Sequence, residues 1–217
     1  MLINLMKCKE EALQRAKAAV QDGLCIVLPT DTVYGIGADA FSASAVQTLL
    51  NAKHRSRDMP PPVLIADADT LPAMVDSVPE AAQSLIDHFW PGALTVILPV
   101  ASKLRLDLGR THGTIAVRVP DHDDARELLR MTGPMAVSSA NISGQDSATN
   151  VEDAQRQLGD SVAVYLDGGS TPGPVPSTIV NFTTDPEGKL IRLGAISVEQ
   201  LRRWAPKLDA SQLDFVD

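Results

Sequence analysis

The chain has 217 residues, 44% hydrophobic and 21% charged, enough apolar material to fold one α/β layer system around its own core without disulfide or metal staples. Its net charge of −8 excludes a surface built broadly to hold nucleic acid by its phosphates and leaves room only for a local basic cleft. Cys8 and Cys25 match no metal or redox spacing, no window has the apolar length of a membrane span, and Met1 to Gln14 lacks a signal-peptide pattern, so a cytoplasmic protein with two free thiols is expected.

In chain order, Glu10 to Val20 has helical spacing and is closed by Asp22-Gly23. A buried strand, LCIVLP, then runs into LPTDTVYGIGADA, Leu28 to Ala40. Hydroxyls carried to a strand end need partners, and glycines there let a ligand approach the backbone. The competing reading is a Thr/Asp-capped turn that enters a helix. Ser42 caps a second helix, SASAVQTLLNAK, which ends in the basic run AKHRSRD and in Pro60 to Pro62, beyond which PVLIA is extended. Lys53, Arg55 and Arg57 either complement the helix dipole or grip a triphosphate, lysine as a point charge and arginine as a planar fork.

Asp69 to Trp90 reads as one helix interrupted near Val78-Pro79, after which WPG breaks the chain and LTVILPV forms a strand. In the next strand, GTIAVRVP, Arg118 sits among apolar residues and needs an anion, either a protein carboxylate or that of a substrate. Asp123 to Met131 is a helix, and PMAVSSA is a strand that opens into SSANISG, Ser138 to Gly144. That loop offers hydroxyls, an amide and backbone N–H groups to phosphate oxygens but lacks the lysine of a P-loop. A helix from Val151 to Leu158, strands AVYLDGG, STIVNF and KLIRL, and a helix from Val198 to Trp204 follow, with TDPEG joining STIVNF to KLIRL as a hairpin. Residues 207–217 read as a loose acidic tail, so one domain spans 1–206.

Intermixed strands and helices, several strands apolar on both faces, imply an α/β fold with a mixed sheet covered by helices. The polar clusters fall at strand ends, where open sheets place ligands. His88, His112 and His122 lie outside those loops, His54 lies inside the basic run, and no side chain pairs a nucleophile with a base. No metal-ligand set is present either, and what remains positions and neutralises phosphates rather than attacking covalently.

Seven stretches, LPTDTVYGIGADA, KHRSRD, WPGALTVIL, TIAVRVP, SSANISG, PSTIVNF and IRLGAIS, stand in the order found in the YrdC/Sua5 family, and the chain resembles those L-threonylcarbamoyladenylate synthases from about Gly23 to Ser197. The resemblance implies an open, twisted mixed sheet of the YrdC-like, DHBP synthase type, flanked by helices around a large concave cavity, in the short single-domain form. It implies synthesis of L-threonylcarbamoyl-AMP from L-threonine, bicarbonate or CO2 and ATP with Mg2+, releasing pyrophosphate. A downstream transferase complex uses that product for the tRNA modification t6A.

Carried across by position, the resemblance puts Thr32, Arg118 and Thr178 around threonine and Lys53 and Arg55 on the ATP phosphates as catalytic cations. Thr114, Val137, Ser139, Asn141, Ser147 and Arg192 fall around the nucleotide. Where many members have an asparagine and a histidine after the basic run, this chain has Met59 and Leu64. Two alternatives stay open: a YciO-like paralogue that binds nucleotide with weak or different activity, and an RNA-binding module, whose contact the acidic balance would make slight and salt-sensitive.

Overall fold

A computed structural model describes residues 1–211. β1 (Leu2–Asn4) leads into α1 (Leu5–Gln21), whose first turn is capped by the Asn4 side chain accepting from the Lys7 amide. This helix starts before the expected Glu10, with a kink at Cys8. β2 (Ile26–Leu28) and β3 (Gly35–Asp39) form an antiparallel pair, and α2 (Ala43–Ala52) follows with Ser42 as its cap. Gly35 and Gly37 are strand residues, where a turn entering a helix was the competing expectation. A Cβ on either would come within 2.6 Å of Val137 or Met135, so the neighbouring strand fits only against glycine.

β4 (Val63–Leu64) leaves the triple proline, and a 3-10 turn, Ala68–Ala73, replaces the first half of the helix expected over 69–90. Val75 instead bridges Val100, and α3 (Glu80–Phe89) begins right after Pro79. Pro72 and Pro79 explain the break, because each lacks an amide donor and disfavours helical geometry in the residue before it. β5 (Leu94–Pro99), β6 (Thr114–Arg118), α4 (Asp123–Thr132), β7 (Met135–Ser139), α5 (Val151–Leu158), β8 (Val164–Asp167), β9 (Thr178–Asn181), β10 (Lys189–Arg192) and α6 (Val198–Arg202) complete the order.

The strands form one open mixed sheet in the order β1-β8-β2-β3-β7-β4-β6-β5-β9-β10. β2 runs parallel to β8, β4 to β6 and β5 to β9, while β3–β7, β5–β6 and the β9–β10 hairpin are antiparallel. Successive side chains of β2 part to opposite faces: Ile26 and Leu28 join α1 and α4 in one core, and Val27 joins α2, α3 and α5 in the other. Burial on both faces fixes register, since a one-residue slip would exchange the two sets. The acidic tail expected from residue 207 is tied down at its start. Leu208 is buried, the Asp209 amide donates to the Gly188 carbonyl, and the Asp209 carbonyl accepts from Leu190. The rest of that stretch, 212–217, lies outside the described residues.

Candidate active site

The turn after β2 and the ends of β4, β5, β6, β7, β9 and β10 enclose a cleft of about 350 Å³, within the usual size of small-ligand sites. Its charged lining consists of Arg55, Arg118 and Arg192, with no carboxylate among the lining residues. For a chain of net charge −8 this is a strong local reversal of field, and low-dielectric walls focus it. Hydroxyls of Thr32, Thr95, Thr114, Ser138, Ser139, Ser147 and Ser177 supplement the cations, and Pro60, Pro61, Leu64, Ile115 and Val137 form apolar wall.

Arg118 closes β6 and is 6% exposed. Its Nε donates to the Gly92 carbonyl (2.9 Å), Nη1 to Thr32 Oγ1 (3.1 Å) and Nη2 to Asp31 Oδ1 (2.5 Å). Of the two anion sources left open by the sequence, Asp31 supplies the protein carboxylate, and Arg118 also lines the cleft beside Thr32. The Thr-Asp-Thr turn is itself fixed, Thr30 Oγ1 donating to the Val33 carbonyl (2.6 Å) and accepting from the Thr32 amide (3.2 Å). Burial pushes the Arg118 pKa down and Asp31 pushes it back up. Leu64 pairs with Arg118 across the parallel β4–β6 ladder and presents apolar wall next to it.

Arg55 and Arg192 are held by neutral groups alone. Arg55 donates to the Met59 carbonyl (2.6 Å), the Ser138 hydroxyl (3.0 Å) and the Pro60 carbonyl (3.4 Å). Arg192 donates through Nε and Nη2 to the Ser177 carbonyl (3.1 and 2.8 Å) and through Nη2 to the Ser177 hydroxyl, which is also bonded to Thr95 Oγ1 (2.8 Å). Burial lowers the pKa of both, and Arg118 and Arg55 further depress Arg192, as expected of like charges facing one space.

Arg57 of the basic run is turned away onto Gln47 and Asp107, and of the eleven residues that the resemblance put around the substrates, Thr32, Arg55, Thr114, Arg118, Val137, Ser139, Ser147 and Arg192 meet in this cleft. Three do not. Thr178 is 0% exposed, and its hydroxyl donates to the Ile196 carbonyl while accepting from the Gly194 and Ile196 amides, leaving nothing for a ligand. Lys53 is 1% exposed, and its ammonium is turned onto the carbonyls of Ser139 and Asn141. Asn141 is buried too, its amide nitrogen donating to the Ile142 and Gln145 carbonyls (2.9 and 2.7 Å). Lys53 and Asn141 thus pack behind the loop, outside the lining of the cleft.

Asp31, Thr95, Ser138 and Ser177 belong to the site but were given no individual role from sequence, although all four lie inside quoted motifs. Met59 is exposed and contributes its carbonyl to Arg55. The Cys25 thiol is buried and pushed up to about 12, so it is no nucleophile at neutral pH.

The Sua5/YciO/YrdC family model, described as "Telomere recombination", matches residues 18–194. A Mycobacterium tuberculosis protein with a provisional threonylcarbamoyl-AMP synthase name is 49% identical over 89% of this chain and 88% of its own. The crystal structure of Pyrococcus abyssi Sua5 complexed with L-threonine superposes with a TM-score of 0.88 at 32% identity, covering 94% of this chain and 60% of that one. This chain therefore spans about three-fifths of that protein's length. Escherichia coli YciO shares the fold with a TM-score of 0.82 at 24% identity, over 93% of this chain and 98% of its own.

Proposed function

This chain belongs to the Sua5/YciO/YrdC family, and from that premise we propose that it joins L-threonine, CO2 or bicarbonate, and ATP into L-threonylcarbamoyl-AMP with release of pyrophosphate. The observation that carries the reading is three guanidinium groups converging on one carboxylate-free cleft, one of them already oriented by Asp31 and Thr32. A planar fork with one face committed to Asp31 suits a single added carboxylate, that of the amino acid. Arg55 and Arg192, with neutral partners only, suit a polyphosphate.

In this scheme threonine binds with its carboxylate on Arg118 and Thr32, which leaves its amine in the cleft. The neutral amine adds to CO2 and loses a proton to give the carbamate. A carbamate oxygen then attacks the α-phosphorus, the bond from that phosphorus to the bridging oxygen breaks, and pyrophosphate departs in line. Holding the reactants in that geometry is worth roughly 7–11 kcal/mol, and cations aimed at the developing phosphate charge add several more. Arg55 and Arg192 take the phosphate-neutralising role for which the sequence had nominated Lys53 and Arg55. Ser139, Ser147 and Thr114 meet the nucleotide, and Val137 with the prolines forms wall beside it. Mg2+ enters as part of the Mg2+–ATP substrate.

The unstable adenylate is then consumed by a transferase complex that forms t6A, in the cytoplasm. Among the described residues no helix is long and apolar enough to cross a membrane.

Incubating purified protein with Mg2+–ATP, L-threonine and bicarbonate should yield pyrophosphate and the threonylcarbamoyl adenylate in equal amounts, each dependent on threonine. ATP binding without threonine-dependent product would assign the chain to the YciO-like alternative, RNA binding without either would make it a module, and a covalent adenylyl or acyl adduct on a side chain would end the direct-displacement scheme.

A further inference from the structure

Lys53 stands one residue past α2 with its side chain fully enclosed, yet none of its hydrogen-bond partners is an anion. Three oxygens surround its nitrogen: the Ser139 carbonyl, the Asn141 carbonyl at 2.6 Å and the Asn141 amide oxygen at 3.4 Å. An ammonium has three N–H donors to meet them, whereas a neutral amine has two and turns a lone pair toward the third. The Lys53 carbonyl in turn accepts from the Ser143 amide (2.9 Å), so the helix end and the loop are sewn together twice. The chain held this way carries Ser138, Ser139 and Ser147, which line the cleft.

The charges around this amine are one-sided. Arg55, two residues on, contributes like charge, His54 is exposed, and the one carboxylate of the loop, Asp146, is exposed. Burial first and Arg55 second bring the Lys53 pKa down to about 7. The bare protein near neutrality is therefore divided between a clamp with a full set of donors and one that is a donor short.

We propose that Lys53 is a positioning residue that works from behind the cleft, its ammonium fixing the Ser139–Asn141 main chain, and that filling the cleft with a polyphosphate is accompanied by uptake of a proton at this amine. The proposal rests on the reading of the cleft as a nucleotide site. A polyphosphate on Arg55 replaces a positive local field by a negative one and so favours the charged amine. By linkage, the charged amine favours the polyphosphate equally. The sign follows: below about pH 6 the amine is protonated with or without ligand and no proton moves. Above pH 7 the free protein must gain one to bind, and affinity falls by up to about tenfold per pH unit.

Calorimetric titration with Mg2+–ATP alone, without threonine or bicarbonate, in two buffers of different ionisation enthalpy reads this directly. At pH 8 about 0.9 proton should be taken up per ATP bound, and close to none at pH 6. Lys53→Met should abolish the uptake and flatten the pH dependence, and Lys53→Arg should keep the clamp while also abolishing the uptake. Should either variant fail to fold, the 13Cε resonance of Lys53 in the native chain serves instead, titrating near pH 7 when free and at higher pH with ATP. ATP binding without proton uptake, uptake that survives in Lys53→Met, or a lysine resonance unmoved by ATP would each overturn the proposal. Absence of ATP binding would instead overturn the nucleotide reading beneath it.

Discussion

In the corner between the turn after β2 and the end of β6, Arg118 is buried against Asp31, whereas along the ends of β7 and β10 Arg55 and Arg192 touch only carbonyl and hydroxyl oxygens. The two regions set the same residue type in different surroundings, and the proposed function gives them different work. A guanidinium with a fixed anion has its orientation set and much of its field cancelled, so it can place a small anion without holding it tightly. Guanidiniums with neutral partners keep their charge uncancelled. They are stable there because every buried side-chain N–H and O–H of the described residues finds a partner.

Arg55→Ala should have the largest effect. With Arg55 gone, Ser138 and the Met59 carbonyl lose their donor and the cleft loses one of its two uncompensated cations. We expect kcat/KM for ATP, followed by pyrophosphate release, to fall by roughly a thousandfold. A loss below tenfold would mean that neutral partners are no mark of a phosphate-facing arginine.

Arg118→Ala comes next and separates the two regions. Threonine-dependent turnover should drop by about a hundredfold, while ATP affinity measured without threonine stays within a few-fold. Stability should fall as well, by about 3 kcal/mol, because Asp31 is left partly buried without its cation. Replacing both, Asp31→Asn with Arg118→Met, should restore much of the melting temperature but none of the threonine dependence. Equal loss of ATP and threonine binding in Arg118→Ala would erase the distinction between the regions.

Thr178 shows what the sequence could carry and what it could not. Its motif, PSTIVNF, lies where the resemblance placed it, and β9 forms there as expected. The direction of the hydroxyl, however, is decided by the 194–196 turn, a contact between residues 18 apart that no local pattern announces. The placement of Lys53 behind the cleft was illegible for the same reason across 86 residues, since its acceptors are carbonyls and carbonyls have no residue code. Arg118 was legible as a buried charge in need of an anion because a charge inside an apolar strand is itself the signal, whereas the packing of Gly35 against Val137 was not, because close strand approach and access for a ligand both ask for glycine. Thr178→Val should accordingly cost about 1–3 kcal/mol in chemical denaturation, from the turn amides and carbonyl left unmet, and leave KM for threonine unchanged. A rise in that KM would return Thr178 to the substrate.

The smallest effect is expected from an ion pair outside the cleft, where solvent replaces the protein as the medium. Asp67 accepts from Arg126 Nη2 (2.6 Å) and from Arg130 Nε and Nη2 (3.0 and 2.9 Å) on α4, and its side chain is 41% exposed against 14% for Asp31. The hydrogen bonds from Arg130 and Arg126 hold its pKa down to about 2. Since the unfolded value is about 4, the stabilisation is complete above that pH and is lost as pH falls from about 4 to about 2. Screening by water limits it to less than about 1 kcal/mol. Melting curves of Asp67→Asn should therefore match the native chain below pH 2 and lie slightly lower at pH 5. A deficit at pH 5 as large as that of Arg118→Ala would show that burial is not what makes the Asp31 pair costly to break, and with it would go the reason for treating the Arg118 corner as a fixed, pre-oriented site.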